Sequence, residues 1–101
     1  MNIKIDDNHL EISPEVKAVI IEKLSSKIDQ LLPDLNNEIK TAFLHIQKDK
    51  KNKNYIAKFD MALPGQKNTF YAETCHHELI SAITDLREAI EKQIKKYKHA
   101  N

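Results

Sequence analysis

The residues of this chain best suited to chemistry are its lysines, and they are unevenly placed. Lys92, Lys95, Lys96 and Lys98 fall within residues 92–101 with no carboxylate among them. Over residues 47–54, Gln-Lys-Asp-Lys-Lys-Asn-Lys-Asn, Lys48, Lys50, Lys51 and Lys53 stand against Asp49 alone. A lysine ammonium is a point charge on a flexible stem, which suits phosphate oxygens and reads base edges poorly. With fifteen Lys and one Arg, the chain would recognise a polyanion by its backbone and shape. Lys17 and Lys23 are further candidates, although Glu15 and Glu22 lie close enough to pair with them. An ordinary alternative stands beside each group. Lysines near a helix C-terminus favour its dipole, and a lysine-rich hairpin tip is a common solvated turn.

Cys75, His76 and His77 invite a metal or a nucleophile. If they lie on a helix, adjacent side chains diverge by about 100° and share a metal poorly. Structural zinc takes four ligands, usually at C-x-x-C or H-x-x-x-H spacing, and no such spacing occurs. A catalytic cysteine pairs with a histidine distant in sequence, not with its neighbour. Gly65 is the only glycine, so there is no glycine-rich phosphate loop and no G-x-S-x-G. We therefore expect no catalysis, no metal, no cofactor and no small-molecule substrate. His76 or His77 should be exposed or donate to a ligand, and His45 should sit on a polar strand face. Phe43 and Tyr71 can stack bases on an open sheet face, or pack at an edge or against a partner.

These side chains are positioned by six expected elements. Ile3 and Ile5 alternate in a short strand over residues 1–6, and Asp6-Asp7-Asn8-His9 is turn-like. Ser13-Pro14-Glu15 supplies an N-cap, a first-turn proline and an acid at the positive dipole end. Val16, Ile20, Leu24, Ile28 and Leu31 then form one stripe of a helix that Pro33 stops. Residues 41–48 form a strand with Ala42, Leu44 and Ile46 inward. Residues 55–63 form the next, with Tyr55, Ala57, Phe59 and Met61 on one face. Pro64-Gly65 marks a turn, and Thr69–Glu73 is a fourth strand. Thr74 is placed to cap a second helix, whose stripe is Leu79, Ile83, Leu86, Ile90, Ile94 and Tyr97. The order β-α-β-β-β-α predicts an α+β fold: one four-stranded, mostly antiparallel sheet with both helices on one face. Its other face meets water.

The chain has 101 residues and a formal net charge of +1, enough for a single domain with a modest core. Charge is asymmetric: residues 1–40 carry −3 and residues 41–101 carry +4. No window is long and apolar enough for a membrane helix, and the N-terminus lacks a signal peptide's apolar stretch. The lone Cys75 fits a reducing compartment, so a cytoplasmic location is expected.

Several motifs, in order and spacing, resemble those of the hibernation-promoting factor family of ribosome-associated translation inhibitors, also labelled sigma-factor modulation proteins. Met1-Asn2-Ile3-Lys4-Ile5 is similar to its opening strand, and Glu11-Ile12-Ser13-Pro14-Glu15-Val16-Lys17 to its Glu-Ile-Thr-Pro-x-Ile-Arg. Glu22-Lys23-Leu24 falls at a basic-Leu pair of the first helix, and Tyr71-Ala72-Glu73 at the strand before the second. Ser81-Ala82-Ile83-Thr84-Asp85-Leu86 resembles Ala-Ala-Ile-Asp-x-Leu, and Lys92-Gln93-Ile94-Lys95-Lys96-Tyr97-Lys98 resembles Arg-Gln-Leu-x-Lys-x-Lys. Glu78-Leu79-Ile80 replaces the family's Asp-Met-Tyr. The resemblance implies the same fold, akin to a double-stranded-RNA-binding domain, with residues 1–101 forming one ribosome-binding domain of the short type. That type has no C-terminal dimerisation domain. It further implies a partner, the small ribosomal subunit and its 16S ribosomal RNA, bound at the decoding region so that mRNA and tRNA are sterically excluded. The free protein is expected to be a monomer. The lysines named above are the expected contacts, and the two groups at residues 48–53 and 92–98 are expected to converge on one surface. The alternative is a non-catalytic interaction module, or a homodimer formed through the open sheet face.

Overall fold

The computed structural model describes residues 2–33, 41–62 and 69–99, with His99 described by its backbone alone. The elements are β1 (Asn2–Asp6), α1 (Pro14–Leu31), β2 (Thr41–Lys48), β3 (Tyr55–Ala62), β4 (Phe70–His76) and α2 (Leu79–His99). The expected Pro64-Gly65 turn lies outside the described residues.

Helix α1 starts as its sequence dictates: the Ser13 hydroxyl accepts the Val16 N–H at 3.2 Å, and Pro14 occupies the first turn. Its stripe of Ile20, Leu24 and Ile28 is fully buried. At the other end the Leu32 N–H closes the helix on the Ile28 carbonyl, one residue before Pro33. Helix α2 starts later than its sequence predicts. Thr74 is a β4 residue, not an N-cap, and its hydroxyl donates to the Ala82 carbonyl at 2.8 Å. The strand-compatible run Phe70–His76 continues pairing with β3 through His76, so the helix waits until Leu79.

The sheet order is β1-β2-β3-β4, with β1 parallel to β2 and the other pairs antiparallel. Every second strand residue faces the helices. Ala42, Leu44 and Ile46 of β2 and Ala57, Phe59 and Met61 of β3 are buried against Ile83, Leu86, Ile90 and Ile94 of α2 and the α1 stripe. Burying such aliphatic and aromatic side chains contributes about 1.5–3 kcal/mol each, and this core is what fixes the helices over the sheet.

Strand direction decides where the lysines go. Strands β1, β2 and β4 all end at the β2–β3 hairpin, since Lys48 pairs with Tyr55 and Tyr55 with His76. Both helices leave from that end and run back, side by side and in the same sense. Lys27 of α1 meets Glu91 of α2, and Leu31 meets Lys98. Tyr97 accordingly packs edge-on against Phe70, at the start of β4.

Candidate nucleic-acid interface

The molecule measures 42 × 24 × 20 Å, and its two lysine groups occupy opposite ends of it. The hairpin lysines sit beside the start of both helices, whereas Lys92, Lys95, Lys96 and Lys98 sit at the far end of α2. The sequence expectation has them converge; along the long axis they lie apart. The reason is topological: helix spacing tells which lysines share a flank, but only the strand directions tell which end that flank reaches.

At the hairpin end the tip is held by its own polar groups. Asp49 donates its N–H to the Asn54 carbonyl, and its carboxylate accepts the Lys51 N–H, both at 2.8 Å. The Asn52 side chain accepts the Asn54 N–H at 3.0 Å. Lys53 adopts a left-handed φ of 59° to complete the turn, which is uncommon for a residue with a Cβ. Lys50, Lys51 and Lys53 are left exposed. Lys48, Lys50 and Lys53 line an open hollow with Leu10 of the β1–α1 loop, and the Lys48 ammonium also lies 5.0 Å from the centre of the Tyr55 ring.

That loop carries left-handed residues at Asn8, His9 and Glu11. It is tied by Asp6, which accepts the Asn8 N–H at 3.0 Å, and by Asp7, which accepts the Ile12 N–H at 3.3 Å. Lys17 pairs with Asp7 at 3.4 Å, not with Glu15. Burial alone raises the Asp7 carboxyl, but the Ile12 N–H and the Lys17 ammonium outweigh it and hold the group below its ordinary value. Lys17 is thus partly committed to the fold.

At the other end the lysines divide into committed and uncommitted ones. Lys98 donates to the Leu31 carbonyl at 2.9 Å and serves as the C-terminal cap of α1. Lys95 pairs with Glu91 at 3.3 Å, and Lys27 reaches the same carboxylate from α1 at 3.1 Å. The Lys27 and then the Lys95 hydrogen bond hold the Glu91 carboxyl below its usual range. Lys23 lies one turn before Lys27 on the same flank of α1. Lys92 and Lys96, four apart on the α2 flank away from α1, are exposed and make no ion pair among the described residues.

Two cations missing from the sequence reading complete this cleft between the helices. One is Lys27. The other is Arg87, the chain's one arginine; its Nε is buried without a hydrogen-bond partner among the described residues, beside Leu24, Lys27, Ile28 and Ile90. In the sequence, the Lys23, Lys27 spacing of four marks Lys27 as a neighbour of a candidate lysine on one helix flank, whereas nothing local marks Arg87. Lys27 and Lys95 both reach Glu91, with Lys23 one turn before Lys27 on α1 and Arg87 one turn before Glu91 on α2, so basic groups line this cleft from both helices.

The other candidates are placed as follows. His76 and His77 are not on a helix. They flank the β4 terminus and stack at 4.5 Å between ring centres, His76 Nδ1 accepting the Glu78 N–H at 3.1 Å. Among the described residues no three His, Cys, Asp or Glu side chains gather to hold a metal. Cys75 is exposed. His45 lies on the open sheet face, 3.6 Å from Asp6. No described helix is long and apolar enough to cross a membrane.

Residues 3–101 match the family model described as Sigma 54 modulation protein / S30EA ribosomal protein. The chain is 26% identical over 98 residues to the ribosome hibernation promotion factor of Lactococcus lactis subsp. cremoris (strain MG1363), a match that covers 97% of this chain and 50% of that protein. The chain therefore spans about half the length of that curated relative. Its fold is similar to that of a ribosomal subunit interface protein from Coxiella burnetii, with a TM-score of 0.75, 20% identity and coverage of 98% of this chain and 99% of that one. The N-terminal domain of Protein Y from Thermus thermophilus is alike at a TM-score of 0.74 and 24% identity, with 96% and 99% covered. The resemblance found in the opening strand, in the Ser13-Pro14 helix start and in the closing lysine-rich helix thus extends to the chain as a whole, which belongs to the Sigma 54 modulation protein / S30EA ribosomal protein family.

Proposed function

We propose that this chain is a cytoplasmic ribosome hibernation factor. It binds the small ribosomal subunit through 16S ribosomal RNA at the decoding region and inhibits translation by occupying the space that mRNA and tRNA need. The mechanism is steric and uses no cofactor. Family membership carries this reading, and the distribution of cations gives it a physical form. A molecule 42 Å long with lysines at both ends and a cationic cleft between its helices suits an RNA channel contacted along its length. Contact at one point suits it less.

In this reading Lys92 and Lys96 are the principal phosphate ligands at one end, and Lys50, Lys51 and Lys53 at the other. Lys23 and Arg87 face the backbone between them. Lys17, Lys27, Lys48, Lys95 and Lys98 contribute field more than direct contact, since each already has a partner within the chain. A lysine that must leave a carboxylate or carbonyl to reach a phosphate gains only the difference between the two interactions.

The test is cosedimentation of the purified chain with small ribosomal subunits across a salt series. Binding at low salt that falls steeply with salt, and that Lys92→Glu/Lys96→Glu weakens, supports the reading. Failure of the intact chain to sediment with subunits at low salt overturns it.

A further inference from the structure

The sheet face turned away from the helices carries two large exposed rings, Phe43 at 43% and Tyr71 at 49% exposure. The strand register arranges its side chains in rows. Lys4, Phe43, Asp60 and Tyr71 lie abreast across the four strands, and Asp6, His45, Lys58 and Glu73 form the next row. These rows hold two lysines against three carboxylates, so the face does not attract a polyanion. Its charges alternate instead, with Lys58 beside Glu73 at 4.0 Å and His45 beside Asp6.

We propose that this face binds a second copy of the chain, through a two-fold axis that crosses the strands between the two rows. This operation lays each strand antiparallel over its own copy and each row over the other. Lys4 then meets the partner's Asp6, and Asp60 meets the partner's Lys58. Tyr71, whose hydroxyl already donates to Glu73 of its own chain at 3.1 Å, meets the partner's Glu73, and Phe43 meets the partner's His45. Lys4, Asp6, Lys58 and Asp60 each face an opposite charge. The other two-fold that brings the faces together runs along the strands. It sets Asp6 against the partner's Glu73 and Phe43 against the partner's Asp60, so electrostatics selects the first.

Sheet twist rotates packed sheets by about 30°, which displaces outer strands most. The Phe43–His45 and Asp60–Lys58 pairs belong to the central strands β2 and β3 and keep their places near the centre of the face. Four strands about 4.8 Å apart and five to eight residues long, with a rise of about 3.3 Å per residue, give a face of roughly 450 Å² per copy. A total of roughly 900 Å² lies just under the size of a stable specific interface, so the dimer is a weak, transient one and salt-sensitive. The inference rests on this face alone and stands apart from the ribosome reading.

Sedimentation equilibrium of the free 101-residue chain, from micromolar to millimolar concentration at low salt, tests it. The expected result is a monomer–dimer equilibrium that weakens with salt. Asp60→Lys places like charges beside the axis and weakens the dimer roughly tenfold or more. Asp60→Lys/Lys58→Asp exchanges the two charges along one strand, and the antiparallel overlay restores their pairing, so dimerisation recovers. Circular dichroism checks that both variants fold, which their positions on the solvent face favour. A chain that stays monomeric throughout overturns the proposal, as does a dimer indifferent to Asp60→Lys or one that the folded double variant does not restore.

Discussion

The Lys98 ammonium donates to the Leu31 carbonyl at 2.9 Å, so the last turn of α2 caps the last turn of α1 across 67 residues of sequence. A cation at this position satisfies an otherwise unpaired carbonyl and opposes the negative end of the α1 dipole. Lys98→Met keeps most of the aliphatic stem and removes the donor. It should lower the unfolding free energy by about 0.5–1 kcal/mol in urea denaturation. Lys92→Met should leave stability unchanged within error, because Lys92 has no partner to lose among the described residues. In cosedimentation the order should reverse, with Lys92→Met the more damaging.

Glu91 couples the helices through two lysines, and the sign of its pH effect follows from their direction. Its folded carboxyl titrates below its ordinary 4.5, chiefly through the Lys27 hydrogen bond and then that of Lys95. A carboxyl depressed on folding binds fewer protons in the native than in the unfolded state. It therefore stabilises fully above the ordinary value, and that contribution is lost as pH falls through the depressed one. Melting temperatures of the parent chain and Glu91→Gln should differ at pH 7 and converge in the acid limb below about pH 4. A gap that persists undiminished at the acid end would assign the effect to packing and not to charge.

Gln93 does for the outer strand what Lys98 does for α1. Its side-chain oxygen accepts the Tyr71 N–H at 3.1 Å, and its amide nitrogen donates to the Tyr71 carbonyl. Both free backbone groups of one β4 residue are thus occupied by a side chain imitating a neighbouring strand. Exposed strand edges are templates for aggregation, and covering them is a recognised protection. Gln93→Ala should lower stability by about 1 kcal/mol. It should also accelerate aggregation on mild heating, measured by light scattering, with little change in ribosome affinity.

The elements themselves are legible in the residues. The Val16-to-Leu31 stripe, the alternation of Ala42, Leu44 and Ile46, and the Ser13-Pro14 start each depend on neighbours within one turn or one strand, and each element forms as its sequence predicts. Thr74 misleads because a threonine before an apolar helical stripe is a good cap in isolation. Here pairing with Ala57 keeps it in β4, a long-range contact that local preference does not contain. The lysines are legible as a set and not as an arrangement. Glu91 stands four residues before Lys95, but nothing near Lys27 in sequence shows that it reaches the same carboxylate, and nothing near Lys98 shows that it reaches the Leu31 carbonyl. Lys27 and Arg87 were overlooked because neither sits in a lysine run. Their significance arises only when the parallel packing of the helices closes a cleft around them.

The separation of the two lysine groups makes a quantitative prediction about RNA binding. If the ribosomal RNA contacts the molecule at both ends, each contact releases its own counterions. The slope of log affinity against log salt should then fall by roughly 0.7–0.9 for every phosphate contact removed. Lys92→Gln/Lys96→Gln and Lys50→Gln/Lys53→Gln should each reduce the slope. Because the two sites share no partner and lie at opposite ends of the molecule, their effects on binding free energy should add in the quadruple variant. Lys95→Gln should reduce the slope less than Lys92→Gln, since Lys95 already neutralises Glu91. Cosedimentation of the variants at several salt concentrations gives these slopes directly. If the hairpin pair leaves the slope untouched while the α2 pair abolishes it, the RNA is engaged at one end only, and the lengthwise contact proposed for the molecule is wrong.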